Sequence, residues 1–284
     1  RTLRCHHCGF TERVPRACPS CGNLDVQTLG QGTEQLEEAL AAELRSLARP
    51  DGSPLVIARI DADTTRHAGS LEQQLARVHS GDVDVLVGTQ MIAKGHDFRR
   101  ITLVAALNPD TALFSSDFRA PERLFSLLLQ AGGRAGRDAA IGSTSELWVQ
   151  TRFPAHALFG ALQRHDYPAF AAQQLEERAA AGMPPFSYQA LVRAESREQQ
   201  AAQDFLNAAG AAAADLPEAA EVFCYPAIPM TPQRVANRER AQMLLESGNR
   251  TALQRFLPQL AHQLHAGRTR AILRWAIDVD PLGI

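Results

Sequence analysis

Residues 130–137 read Gln-Ala-Gly-Gly-Arg-Ala-Gly-Arg, a glycine-rich turn that carries two arginines. The turn follows a helical stretch at 122–130 and precedes a strand-like run at 146–150. Guanidinium groups held on such a turn can pair with phosphate oxygens in a bidentate manner. An arginine that reaches a γ-phosphate from outside its cradle stabilises transition-state charge, typically by a factor of ~10³ to 10⁵. A solvated basic turn is the alternative, but the complete eight-residue pattern favours phosphate contact.

Around this turn, short apolar runs alternate with helical stretches. The runs lie at 55–60, 83–88, 101–107 and 146–150, and the stretches begin near 33, 70 and 122. This alternation predicts an α/β fold with a parallel sheet. Ligands of such sheets bind at the carboxyl ends of the strands.

A second candidate loop, 88–98, directly follows one of these runs. Thr89 and Gln90 can donate hydrogen bonds to phosphates, and Lys94 adds a positive charge. Asp97 can accept from a ribose hydroxyl or pair with an arginine. The alternative is an ordinary strand-to-helix loop, and alone this loop is a weak signal.

Two C-x-x-C pairs, each followed by glycine, open the sequence: Cys5 with Cys8, and Cys18 with Cys21. Paired motifs of this kind predict zinc bound in a reduced cytoplasm rather than disulfides. The residues alone suggest one tetrahedral site with four cysteine ligands. The fifth cysteine, Cys224, is predicted to be a small buried residue.

The composition limits the class of protein. The chain has 284 residues, a net charge of −2 and 45% hydrophobic residues, which argues against bulk phosphate binding of the histone kind. There is no run of 18 apolar residues and no visible signal peptide, so we expect a cytoplasmic protein without membrane contact. Trp148 and Trp275 lie in strand-like runs and are predicted to be core residues.

The region after residue 153 has a different pattern. A helix predicted at 165–181 must end before Pro184-Pro185. Strands predicted at 188–194, 241–246 and 271–279 alternate with helices at 198–214 and 251–265, which indicates an α+β unit, and a segment punctuated by prolines occupies 223–232. Arg234, Arg238 and Arg240 could contact phosphates or form a solvated charged run. The predicted domains are 1–25, 26–153 and 154–284.

The motifs at 88–98 and 130–137 together resemble motifs V and VI of superfamily 2 helicases, and most closely those of the PriA family of replication-restart helicases. The resemblance also runs through Leu-Gly-Gln-Gly-Thr-Glu at 29–34, Ile-Asp-Ala-Asp-Thr-Thr at 60–65, Met-Pro-Pro-Phe at 183–186 and Asp-Val-Asp-Pro at 278–281. It implies a RecA-like second helicase lobe, which is a parallel sheet with helices on both faces. A zinc-binding segment would precede this lobe, and an α+β domain would follow it.

The resemblance also implies roles for the quoted residues. Arg134 and Arg137 would meet the γ-phosphate, with Gln130 and Gly133 shaping their turn. Gly95 would contact the nucleotide, and Asp97 would contact the nucleotide or hold an arginine. Thr89, Gln90 and Lys94 would hold the DNA backbone or couple it to the ATP site. In the family, eight cysteines bind two interleaved zinc ions, so Cys5, Cys8, Cys18 and Cys21 would be the last two pairs.

The resemblance further implies an ATP- and magnesium-dependent 3′–5′ DNA helicase that acts in replication restart at forked or single-stranded DNA. Its partners would be primosome proteins and the single-stranded DNA-binding protein. No phosphate cradle of the form G-x-x-x-x-G-K-[ST] occurs in the sequence, so we expect a fragment whose ATP cradle lies upstream and which is inactive alone.

Two alternatives remain at this point. The first is a non-catalytic zinc-ribbon module, joined to a degenerate motor lobe, that binds DNA or proteins. The second is a superfamily 2 motor of the RecG type, against which the cysteine pairs argue.

Overall fold

The computed structural model describes residues 2–4, 11–15, 17, 32–61, 64–65, 67, 69–89, 101–115, 117–133 and 145–283. They divide into two compact units. The first unit is Gly22–Phe170, and the second unit is Ala171–Ile284 together with Arg1–Cys21. Near the N-terminus, strands β1 (Thr2–Arg4) and β2 (Thr11–Arg13) pair antiparallel. The predicted domain bounds at 25 and 153 stay a prediction.

The described residues of the first unit contain four strands that pair in parallel. Its elements in chain order are helix α1 (Thr33–Glu43), a 3-10 turn (Leu44–Ser46), strand β3 (Ile57–Ile60), helix α2 (Ser70–Ser80), strands β4 (Val85–Gly88) and β5 (Leu103–Leu107), helices α3 (Asp110–Leu113) and α4 (Ala120–Gly132), strand β6 (Glu146–Gln150) and helix α5 (Ala157–Gln163). Strand β3 pairs with β4, and β5 pairs with β6. The predicted α/β class with parallel strands is therefore confirmed, although the described strands form two separate pairs.

Strand β3 begins two residues later than the apolar run predicts. The carboxylate of Asp84 accepts the N–H of Val56 at 2.7 Å, so this donor is satisfied by a side chain instead of a neighbouring strand. The guanidinium of Arg49 pairs with the same carboxylate at 2.9 Å. These contacts hold the residues that precede β3 and β4 next to each other.

Helix α2 ends because of a glycine. Gly81 has a φ of 87°, in the left-handed region that favours glycine, and its N–H donates to the carbonyls of Arg77 and Val78.

The core of the first unit lies against one face of α4. Leu124, Phe125 and Leu128 are buried on this face, as the helical spacing requires. Phe125 is 0% exposed, and its ring stacks on Phe170 with centroids 4.3 Å apart and planes 10° apart. The remaining buried members of the cluster are Leu113, Leu158, Phe159, Ala161 and Leu162. Burial of each large side chain contributes roughly 1.5–3 kcal/mol.

Helix α6 (Tyr167–Ala180) leads into the second unit, which is an antiparallel sheet with helices packed on it. Its elements are strand β7 (Tyr188–Ser196), helix α7 (Gln199–Ala212), a 3-10 helix (Pro217–Glu221), strands β8 (Phe223–Cys224), β9 (Ile228–Val235) and β10 (Arg238–Ser247), helix α8 (Arg250–Ala266) and strand β11 (Ile272–Val279). The strand order is β11-β7-β10, and both β8 and β9 pair with β10. Such an arrangement of helices on an antiparallel sheet is an α+β architecture.

Alternate residues of the central strands form the core of this unit. Ala190, Val192, Met243 and Leu245 are at most 1% exposed and pack with buried residues of α7 and α8. Helix α8 has an N-cap, because the Oδ1 atom of Asn249 accepts the N–H groups of Thr251 and Ala252. The alternation places a single apolar face of the sheet under the helices.

The segment punctuated by prolines at 223–232 contains β8 and the first part of β9. Pro229 and Pro232 both lie within β9. Among the described strands, β9 pairs only with β10, so the missing N–H of proline costs no hydrogen bond on its open side.

Candidate functional site

The predicted ligand edge is formed by β3 and β4. Ile60 lies opposite Gly88 in this parallel pair, so the residues that follow them, Asp61 and Thr89, emerge at the same carboxyl edge. Thr89 is exposed there. The described part of the loop at 88–98 thus begins where the sequence places it, while the role of Thr89 in binding stays a prediction.

Asp61 is the centre of a hydrogen-bond network at this edge. Asp61 is 6% exposed, and its carboxylate accepts the hydroxyl of Thr33 at 2.6 Å and a guanidinium nitrogen of Arg59 at 3.0 Å. It also accepts the N–H of Thr64 at 2.9 Å, and its main-chain carbonyl accepts the hydroxyl of Thr65 at 2.6 Å. A buried carboxylate requires such donors, because desolvation without them is costly. The loop after β3 is therefore tied both to itself and to the start of α1.

A second link joins α1 to β3. The Nε atom of Arg59 lies 3.0 Å from the carboxylate of Glu37, while its Nη1 atom contacts Asp61. One guanidinium therefore bridges two carboxylates on different elements. These two ion pairs link α1 to the end of β3.

An aspartate also links the carboxyl ends of the other parallel pair, β5 and β6. Asp110, at the start of α3, accepts the hydroxyl of Thr151 and the N–H of Arg152. The hydrogen bond from Thr151, followed by that from Arg152, lowers the pKa of Asp110 from its ordinary value of 3.8. The ends of β5 and β6 are therefore held together by a carboxylate that is stable in its charged form.

Helix α4 leads directly to the arginine turn. Gln130 and Gly133 are exposed at its C-terminal end, and the N–H of Gly133 donates to the carbonyl of Leu129 at 2.9 Å. At Gly132, a Cβ atom would lie 3.0 Å from the Cδ2 atom of Leu147, so β6 packs against the bare backbone. At the other end of α4, Asp117 accepts the N–H of Arg119 and the guanidinium of Arg123.

Most of the predicted site residues lie outside the described part of the chain. These are Arg134 and Arg137 of the turn, Gln90, Lys94, Gly95 and Asp97 of the loop, and the four cysteines Cys5, Cys8, Cys18 and Cys21. Within the described ranges there is no group of three or more His, Cys, Asp or Glu side chains that could hold a metal ion. The roles of these residues in nucleotide, DNA and zinc binding stay predictions.

The prediction that Trp148 is a core residue is wrong. Trp148 is 59% exposed, and its indole N–H donates to Glu146 at 2.6 Å. Leu147 and Val149 face the core of the first unit, so strand alternation turns Trp148 to the opposite side. Trp275, in contrast, packs partly buried against the core of the second unit.

Cys224 is half-buried beside the same core, and burial raises the pKa of its thiol above the ordinary value of 9.0. This is the environment expected of a packing residue rather than a reactive thiol.

The arginines at 234–240 belong to the hairpin of β9 and β10, and each has a contact within the chain. Arg234 lies 3.5 Å from Glu239, and Arg238 lies 3.0 Å from Glu195. The guanidinium of Arg240 donates to the carbonyl of Pro232 at 3.4 Å. Their contact with phosphates stays a prediction.

Sequence reasoning gave no role to Thr33 and Asp61, although both lie in quoted segments. For Asp61, the available signal was the threonine-rich sequence after β3, because aspartate followed by threonines commonly forms a side-chain-capped turn. Among the described helices, none is long and apolar enough to cross a membrane.

Two family models match this chain. One describes a helicase conserved C-terminal domain and covers residues 30–139. The other describes the primosomal protein N C-terminal domain and covers residues 179–282. The first contains most of the described first unit, and the second contains the sheet and helices of the second unit.

Among the similar curated proteins, the replication restart protein PriA of Haemophilus influenzae is 39% identical over 282 residues, which is 98% of this chain and 36% of that protein. The PriA protein of Treponema pallidum is 36% identical over 99% of this chain and 40% of its own length. The PriA protein of Bacillus subtilis is 40% identical over 69% of this chain and 23% of its own length. This chain therefore spans less than half the length of these relatives.

Proposed function

Because this chain belongs to the family of the replication restart protein PriA, we propose that it forms the second motor lobe and C-terminal domain of an ATP-dependent DNA helicase. In this proposal, the helicase acts at forked or single-stranded DNA during replication restart and moves in the 3′–5′ direction. Its partners would be primosome proteins and the single-stranded DNA-binding protein.

The observation that carries the proposal is the packing of α4, the helix that precedes the arginine turn in the sequence. Residues 134–137 follow α4, whose buried face is anchored by Phe125 and Leu128 in the core of the first unit. A group that stabilises a transition state must be held in place before the reaction, and a packed helix supplies such support. Arg134 and Arg137 would then meet the γ-phosphate of ATP, with Gln130 and Gly133 shaping the turn.

The edge formed by β3 and β4 would serve DNA and nucleotide. Thr89, Gln90 and Lys94 would contact the DNA backbone, and Gly95 and Asp97 would contact the nucleotide. The Asp61 network supports this assignment, since it fixes the neighbouring loop at the same edge. The cradle that binds ATP and magnesium would belong to the first motor lobe.

The four N-terminal cysteines would bind zinc. Thiolates in two C-x-x-C pairs are suitable ligands, either for one ion or as parts of two sites completed by further cysteines. Zinc content measured on this chain, with Cys8→Ser and Cys18→Ser as variants, distinguishes these possibilities from a metal-free segment.

The arginine assignment is tested in the full-length protein with Arg137→Ala. We expect DNA-stimulated ATP hydrolysis to fall by a factor of ~10³ or more, because transition-state stabilisation is lost, while ATP binding changes much less. Arg152→Ala, which removes an arginine outside the turn, is the matched control and should retain turnover. An unchanged rate of hydrolysis in Arg137→Ala would exclude the assignment and favour the non-catalytic binding module.

A further inference from the structure

The loop that follows β3 uses its hydrogen-bond donors within the chain. The hydroxyl of Thr64 accepts the N–H of Asp61 at 3.0 Å and donates to the carbonyl of the same residue at 3.2 Å. The hydroxyl and the N–H of Thr65 both donate to that carbonyl, at 2.6 Å and 3.1 Å. A ligand gains little from donors of this kind, because binding would first have to break the existing bonds. The two threonines therefore offer no free donor at the carboxyl edge of β3 and β4.

Both neighbouring helices hold this loop. From α1, the hydroxyl of Thr33 donates to the carboxylate of Asp61. From α2, the side-chain amide of Gln74 donates to the carbonyl of Thr64 at 3.3 Å. Because the two helices contact the loop through different residues, a shift of either helix changes the position of the loop.

Arg59 adds a charged contact between α1 and the end of β3. Its guanidinium lies 3.0 Å from the carboxylates of both Glu37 and Asp61, and its side chain is only 19% exposed. Thr33 and Glu37 are four residues apart and so lie on the same face of α1, which attaches this helix to β3 at two points. The charge of Arg59 is matched by two carboxylates, and this residue is therefore poorly suited to contact a phosphate of DNA.

Thr89 differs from the threonines of the loop. It emerges beside Asp61 at the carboxyl edge, because Ile60 lies opposite Gly88 in the parallel pair. Thr89 is exposed, and its side chain forms no hydrogen bond with another described residue. Its hydroxyl is therefore available to a phosphate, whereas the hydroxyls of Thr64 and Thr65 are not.

We propose that Thr33, Arg59 and Asp61 are positioning residues for DNA binding. They touch no part of the DNA, but they fix the end of β3 and its loop, beside which Thr89 emerges. This inference rests on the proposed helicase function, in which Thr89 contacts the DNA backbone. A displacement of ~1 Å at such a contact removes much of its free energy, since hydrogen bonds weaken steeply with distance and angle.

The test measures ATP hydrolysis by the full-length protein as a function of the concentration of single-stranded DNA. Arg59→Gln should raise the DNA concentration for half-maximal stimulation by ~5-fold or more and change kcat by less than ~2-fold, because a binding contact is displaced while the residues proposed to meet ATP are unchanged. Arg49→Gln is the matched control. Arg49 pairs with Asp84 at the amino ends of the same two strands, so this variant should retain the wild-type value.

The salt dependence of DNA binding separates positioning from direct contact. Loss of one phosphate contact lowers the slope of log affinity against log salt concentration by about 0.7 for single-stranded DNA. Lys94→Gln should lower the slope in this way, whereas Arg59→Gln should weaken binding with an unchanged slope. A slope that falls in Arg59→Gln as it does in Lys94→Gln would show that Arg59 touches a phosphate, and it would overturn the inference.

Thr33→Val tests the same network without a change of charge, and it serves even if Arg59→Gln fails to fold. It removes one donor to Asp61 and should raise the half-maximal DNA concentration, while Thr33→Ser, which keeps the hydroxyl, should return it towards the wild-type value. Wild-type affinity for DNA in both Arg59→Gln and Thr33→Val would mean that the network positions nothing. A wild-type protein whose ATP hydrolysis does not respond to DNA would instead contradict the proposed function, and with it the premise of this inference.

Discussion

The hydroxyl of Thr33 donates a 2.6 Å hydrogen bond to the carboxylate of Asp61, and this contact joins the first turn of α1 to the end of β3. The two residues are 28 positions apart, and Asp61 is almost fully buried. The contact therefore fixes the edge at which the predicted nucleotide and DNA loop begins.

Thr33→Val should lower the free energy of unfolding by ~1–3 kcal/mol, because it leaves the buried carboxylate of Asp61 short of one donor. Thr33→Ser keeps the hydroxyl and should cost less than about 1 kcal/mol. Urea unfolding of this chain, followed by circular dichroism, measures both values. Equal stability of the valine variant and the wild type would mean that Thr33 contributes nothing to the network.

Phe125→Ala should destabilise the first unit by ~3–5 kcal/mol, since it removes a ring that is 0% exposed and stacked on Phe170. Phe125→Leu retains much of the volume and should cost less. Phe114→Ala, at an exposed phenylalanine of the same unit, is the control. Thermal unfolding of the three variants gives the order, and a loss at Phe114 as large as that at Phe125 would contradict the assignment of the core.

Asp110 should make stability depend on acid pH. Because its folded pKa lies below 3.8, the unfolded chain binds more protons between the folded pKa and 3.8. The contribution of Asp110 is therefore present above about pH 4 and is lost as the pH falls through the folded pKa. The stability difference between the wild type and Asp110→Asn, measured by urea unfolding at several pH values, should shrink towards acid pH. Thr151→Val should show part of the same effect, and a difference that is constant with pH would refute the prediction.

Lys94 is the only lysine in the sequence, so amine acylation reports on it selectively. If Lys94 contacts the DNA backbone, single-stranded DNA should slow its acylation severalfold, and salt should reverse the protection. Mass spectrometry separates the product from acylation of the N-terminal amine. A neutral polymer such as dextran is the control, and a rate that DNA leaves unchanged at saturation would remove Lys94 from the interface.

The order and type of most elements could be predicted from hydrophobic periodicity. The helix expected at 198–214 is observed as Gln199–Ala212, and the strand expected at 271–279 is observed as Ile272–Val279. Periodicity succeeds there because each element buries one face, and burial repeats at the helical or strand period. The bounds move by a residue or two where side chains cap or compete with the backbone, as Asp84 does before β3.

The missed features depend on contacts between distant residues. Trp148 belongs to an apolar run, but which face of β6 meets the core is decided by Leu147 and Val149 packing on the cluster around α4. In β9, prolines that usually oppose a strand are accepted because this strand pairs on one side only among the described strands. The Thr33–Asp61 contact spans two elements, so no local pattern reveals it.

Helix α6 determines where the gene can be shortened without exposing the core of the first unit. Its residue Phe170 belongs to the buried cluster around Phe125, together with Leu158 and Phe159, while the helix itself continues to Ala180. A truncation that stops at residue 153 would remove these three side chains and leave an apolar surface prone to aggregation. An expression fragment that ends after Ala180 keeps the helix whole and should yield a better-behaved sample.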